Sequence, residues 1–110
     1  EMPGKKDIKA TILINDKNLE INEFTNDIVA NSVSAMVSSL KTEEDVKSID
    51  IEISGISNGN MVDAGIALKT NGKPLEINEF TSAILKETIF ATISTLKIDG
   101  EINNIKLVIE

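Results

Sequence analysis

The chain contains no cysteine, no histidine and no arginine. Without cysteine there is no disulfide, no thiolate nucleophile and no zinc centre of the usual kind. Without histidine, the commonest general acid–base side chain is gone. Without arginine, there is no bidentate fork for phosphate or for guanine. The 11 basic residues are therefore all lysine, and 18 acidic residues outweigh them to a net charge of −7. Such a balance argues against nucleic acid or an anionic membrane as a partner. Tryptophan and tyrosine are absent too, and the aromatic set is Phe24, Phe80 and Phe90. That leaves little with which to grip a sugar ring. No apolar run is long enough to span a membrane, and the start of the chain lacks the core of a signal peptide. Glu1 precedes Met2, the expected natural start. The lack of cysteine is compatible with the cytosol, and we expect a cytoplasmic location. The isoleucine-, lysine- and asparagine-rich usage is also what an AT-rich genome produces.

What the chain does contain, it contains twice. Leu19-Glu20-Ile21-Asn22-Glu23-Phe24-Thr25 returns unchanged as Leu75-Glu76-Ile77-Asn78-Glu79-Phe80-Thr81. A shift of 56 positions aligns 7–53 with 63–109 without a gap, and 17 of the 47 pairs are identical. Chance gives roughly three or four, so the pattern reads as an internal duplication. We expect a flexible leader over 1–6 and a single domain over 7–110. Its two pseudo-symmetric repeats, 7–53 and 63–109, are joined by 54–62. Each repeat alone is near the lower limit for an independent core, so a shared core is expected.

Each repeat reads as β-β-α-β. Ile8, Ala10, Ile12 and Ile14 alternate with Lys9, Thr11 and Leu13, as in a half-buried strand. Asn15-Asp16-Lys17-Asn18 reads as a turn, and its copy Asn71-Gly72-Lys73-Pro74 holds the Asn-Gly hairpin signal. Second strands are expected over Leu19–Ile21 and Leu75–Ile77. Pro74 lacks an N–H, so this strand starts there or lies at a sheet edge. Asn22 then opens a helix of about five turns. Its expected core residues are Phe24, Ile28, Val29, Val33, Met36, Val37 and Leu40. The copy offers Phe80, Ile84, Leu85, Ile89, Ile93 and Leu96. Lys41 and Lys97 fall at the helix C-termini, where the dipole favours cations. Ile49, Ile51 and Ile53, with Ile105, Leu107 and Ile109, form the third strands. A type I′ turn at Asn58-Gly59 would join the repeats as a hairpin, setting Ile51 against Ile66 and Ile49 against Leu68. Gly55 and Gly65 are candidate bulges. The fold class is therefore α+β: an extended mixed or antiparallel sheet with two long helices on one face.

The repeated block is one candidate site. Two copies of Asn22 and Glu23, the second being Asn78 and Glu79, near a pseudo-two-fold axis could hold a hard cation or a small molecule. The structural reading is the stronger. Asn22 caps a helix, Glu23 complements its positive end and Phe24 plugs the core. The outer helix faces are the other candidate, because small uncharged side chains replace the usual lysine–glutamate pairs. Ser34, Ala35 and Ser38 on the first helix, with Phe90, Ala91 and Ser94 on the second, form a candidate docking or oligomer surface. The plain alternative is that the two helices pack on each other there, or that the face is merely hydroxyl-rich. Thr42-Glu43-Glu44-Asp45 lacks the spacing of a calcium loop and reads as a solvated loop.

Phosphate-binding and nucleophile-elbow motifs are missing. A serine nucleophile would lack its usual base. No cofactor and no enzymatic activity are expected, with paired-carboxylate hydrolysis a distant third. The function expected is a protein-interaction or assembly module, partnered by a second copy of itself or by another protein. The alternative is a small-molecule or divalent-cation binding protein with its site between the repeats. The run Asn15 to Lys17, Leu19 to Phe24, then Met36-Val37-Ser38-Ser39-Leu40-Lys41 resembles a unit of small uncharacterised archaeal proteins. The second repeat matches it less well, with Thr92-Ile93-Ser94-Thr95-Leu96-Lys97 in the last stretch. The resemblance implies a cytoplasmic archaeal setting and carries over no catalytic residue.

Overall fold

Among the described residues six strands and two helices follow in the order β1 (Ala10–Ile14), β2 (Lys17–Leu19), α1 (Glu23–Ser38), β3 (Ile49–Ser54), β4 (Gly65–Thr70), β5 (Lys73–Pro74), α2 (Glu79–Ser94) and β6 (Asn104–Ile109). The computed structural model describes residues 8–40, 45–61, 63–96, 98 and 100–110. The expected leader, Lys41, Thr42-Glu43-Glu44 and Lys97 lie outside the described residues.

The strands form one sheet in the order β2-β1-β6-β3-β4-β5. Every neighbouring pair is antiparallel, so the mixed alternative is not adopted. The reason lies in the order. β1 and β3 of the first repeat run parallel, but β6 of the second repeat lies between them. At the sheet centre Ile51 sits opposite Leu107, and both are fully buried. Alternation decides the faces. Ala10, Ile12 and Ile14, Ile49, Ile51 and Ile53, Leu68 and Thr70, and Ile105, Leu107 and Ile109 are all buried. The residues between them are partly or fully exposed. On that wetter side Asp50 lies opposite Lys69, and Glu52 opposite Lys106. Opposite charges placed so favour this register. The edge strands β2 and β5 are short, and β5 carries Pro74, which blunts an edge against further pairing.

The two outer hairpins are tighter than expected. Ile14 pairs with Lys17 and Thr70 with Lys73, so each loop is two residues long. Asn15, Asp16, Asn71 and Gly72 all have positive φ, the signature of a type I′ turn. The second strands therefore begin at Lys17 and Lys73 rather than at Leu19 and Leu75. The central hairpin keeps the expected facing sides but shifts by two residues. Ile51 faces Leu68 and Ile53 faces Ile66. A tight turn at Asn58-Gly59 does form, closed by Ser57 and Asn60. A further turn, in which the Ala64 N–H donates to the Met61 carbonyl, takes up two residues before β4. Gly55, at φ +82°, lies in this connection, whereas Gly65 pairs regularly with Ser54 and is no bulge.

Both helices begin as the sequence suggests. The Asn22 side chain accepts from the Thr25 N–H at 2.8 Å, and Asn78 accepts from Thr81 at 2.8 Å. Glu23 and Glu79 occupy the first turns, beside the positive helix ends. The buried stripes are Val29, Val33 and Val37 on α1 and Leu85, Ile89 and Ile93 on α2. Phe24 and Phe80 do not plug the core. Each is 74% exposed, and Ile28 and Ile84 are 46% and 44% exposed. At about 100° per residue, Phe24 and Ile28 point away from the Val29–Val33–Val37 stripe. A helix lying on a sheet buries one stripe, and these residues fall outside it.

Candidate functional site

The repeated block can now be taken residue by residue. Leu19, Ile21, Leu75 and Ile77 are half-buried and packed against the core. Asn22 and Asn78 cap the helices, and Thr25 and Thr81 give the capped N–H groups. Those positions are explained by folding. Phe24 and Phe80 are not, since both stand in solvent. Among the described residues the large apolar side chains left exposed are these two and Ile28 and Ile84, one helical turn further on. Each pair is an i,i+4 neighbour on its helix, a contact worth only a few tenths of a kcal/mol in stability. The same outer lines continue through exposed Ala35 on α1 and exposed Ala91 on α2.

The cap oxygens of Asn22 and Asn78 are already bonded to backbone N–H groups. Among the described residues no three acidic side chains come together to hold a metal ion.

The six candidate interface residues part company. Ser34 is only 5% exposed and lies inside the protein, so it is not a surface residue. Its hydroxyl oxygen has no hydrogen-bond partner. The helix wheel misplaces it because α1 also buries a flank, Ala30 and Ser34, beside the Val29–Val33–Val37 stripe. Ala35 and Ser38 are exposed. Phe90, Ala91 and Ser94 line one groove of about 740 Å³ between α2 and the connector at Gly59, Asn60 and Met61. Phe90 is partly buried against the core rather than a free anchor.

Lys86 also lines that groove and has no counterpart in the candidate list. Its ammonium group donates to the carbonyls of Met61 at 3.2 Å and Ala64 at 2.8 Å. It thereby ties the connector to α2. The available signal was its isolation: Lys86 is the one basic residue within the two helices, standing where the first repeat has Ala30.

Asn15 and Asn71 act beyond their turns. The Asn15 side-chain oxygen accepts from the N–H groups of Asn103 and Asn104, and its amide donates to the Glu101 carbonyl. Asn71 does the same for Lys47, Ser48 and Asp45. Asn26 ties α1 to the start of β1, accepting from the Ala10 N–H and donating to the Ile8 carbonyl.

Among the described residues no helix is long and apolar enough to cross a membrane. No family model, curated protein or solved structure matches the chain.

Proposed function

We propose that this chain is a non-enzymatic protein-interaction module that docks a partner on the outer side of its helix layer. The observation that carries the reading is the exposure of Phe24 and Phe80 at 74% each. Water-facing phenylalanine gains nothing from burial, and aromatic residues are enriched in interface cores. The duplication sharpens the point. In our reading the chain is a tandem pair of β-β-α-β units with both helices on one face of the sheet. The buried parity of the strands on a single side supports that placement. So does the strand order, which reads the same when the repeats are exchanged and the list reversed. Thirty of the 47 aligned pairs differ between repeats (47 less the 17 identities), yet the exposed phenylalanine stands in both. We place the protein in the cytoplasm, with which its cysteine-free composition is compatible.

The test is a photo-crosslinking amino acid, benzoylphenylalanine, at position 24 or 80 in cells of the native host. Position 69, on the opposite side of the sheet, serves as control. Adducts from 24 and 80 with none from 69 are expected. Equal yields from all three positions, or none from any, would sink the reading.

A second reading has one observation in its favour. The groove lined by Lys86, Phe90, Ala91 and Ser94 lies where the connector between repeats meets α2. A small molecule held there would raise the melting temperature of the folded chain. Thermal melts against a panel of divalent ions and small carboxylates test it.

A further inference from the structure

An exposed apolar pair does not say what covers it, but the charges around it narrow the choice. Within α1 the charged residues are Glu23 and Asp27, both acidic and exposed. Within α2 they are Glu79, Lys86 and Glu87. The Lys86 ammonium is turned to the Met61 and Ala64 carbonyls, so among the described residues the two helices show a partner chiefly carboxylates. Each apolar pair is thus bordered by acid: Phe24 and Ile28 by Glu23 and Asp27, Phe80 and Ile84 by Glu79 and Glu87.

A second copy of the chain fits this surface poorly. It would bring carboxylates against carboxylates, which opposes docking. Two phenylalanines and two isoleucines expose only a few hundred Å² together, against roughly 800 Å² per partner in a stable interface. The rest of a dimer interface would have to bury those acids.

The two pairs are also apart. Three successive antiparallel pairings make β1 antiparallel to β4, so the repeats run in opposite senses. Leu40, just past the end of α1, shares a small depression with Leu75, Ile77, Asn78 and Thr81 at the start of α2. The end of one helix therefore lies by the start of the other. Phe24 and Phe80 fall at opposite ends of the layer.

We propose that each pair binds a cationic protein segment carrying an apolar anchor, one flanked by lysine or arginine, so that one chain takes two such segments. This rests on the interaction-module reading above and adds the chemistry and the stoichiometry of the partner. Apolar contact supplies the anchor, and the acidic border selects the charge.

The probe is a synthetic 14-residue peptide of leucine and lysine at amphipathic spacing, with a leucine–glutamate peptide of the same pattern as control. Binding to the full chain is followed by fluorescence anisotropy and calorimetry. Two leucine–lysine peptides per chain are expected, with at least tenfold weaker binding of the leucine–glutamate peptide. Phe24→Ser or Phe80→Ser should each remove one site. The double variant should lose at least tenfold in affinity with its circular dichroism and melt retained. Glu23→Lys with Asp27→Lys should abolish the site at Phe24 alone. Equal binding of both peptides, or undiminished binding to the folded double variant, overturns the proposal. A wild type that scatters light as a dimer, turned monomeric by Phe24→Ser and Phe80→Ser, makes the second copy the occupant and also overturns it. If the peptides fail while benzoylphenylalanine at 24 and 80 still crosslinks, the cationic partner falls and the interaction module stands. If both fail, both fall.

Discussion

Asn15 and Asn71, 56 residues apart, make the same set of bonds to different stretches of backbone. Each side chain accepts two N–H groups and donates to one carbonyl, and each backbone N–H donates to one further carbonyl. Asn15, in the first repeat, holds 101–104 of the second. Asn71, in the second, holds 45–48 of the first. The two turns thus clasp the approach to the last strand of the opposite repeat. This arrangement follows from the exchange of strands, which seats β6 beside β1 and β3 beside β4.

Replacing Asn15 or Asn71 by glycine keeps the positive φ accessible and removes the side-chain bonds. Either change should cost about 1–3 kcal/mol, since three modest bonds are lost at a partly exposed site. Urea unfolding of the two variants checks this. A cost below about 0.5 kcal/mol at both positions would mean that water replaces the clasp without loss.

The caps make a milder prediction. Asn22→Ala and Asn78→Ala should each cost about 1 kcal/mol, while Asn→Asp at either should be tolerated. Thermal melts of the four variants suffice. Should the alanine variants melt like wild type yet lose partner binding, the cap asparagines belong to the site instead.

Ser34 gives a prediction of opposite sign. Its buried hydroxyl has no partner, and burying such a group costs free energy. Ser34→Ala should leave stability unchanged or raise it by up to about 1 kcal/mol. A loss of 1 kcal/mol or more would reveal that the hydroxyl is satisfied.

Core and surface should separate cleanly in the apolar set. Leu107→Ala, fully buried opposite Ile51, should cost about 2–5 kcal/mol. Phe24→Ser and Phe80→Ser should each cost no more than about 0.5 kcal/mol, because little burial is lost. Denaturant midpoints for the three variants settle the comparison. A phenylalanine variant as damaging as Leu107→Ala would place that ring in the core.

The local period of the sequence by itself determined the elements. Alternating isoleucines set the strands and their buried sides, and Asn22 and Asn78 marked the helix starts. Those features depend on residues a few positions apart, which share one pleat or one helical turn. Tertiary structure alone decided the rest. The seating of β6 between β1 and β3 is a choice among long-range pairings that all bury the same isoleucines, so no local pattern selects it. The central register moved by two residues because a turn at Met61–Ala64 absorbed them while leaving the facing sides unchanged. The fate of Phe24, Ile28, Phe80 and Ile84 was hidden for a related reason. Each helix carries more apolar residues than one sheet-facing stripe can cover. Which of them face water depends on the rotation of the helix about its own axis. That rotation is fixed by the sheet and by the other helix, and their residues lie far away in the chain.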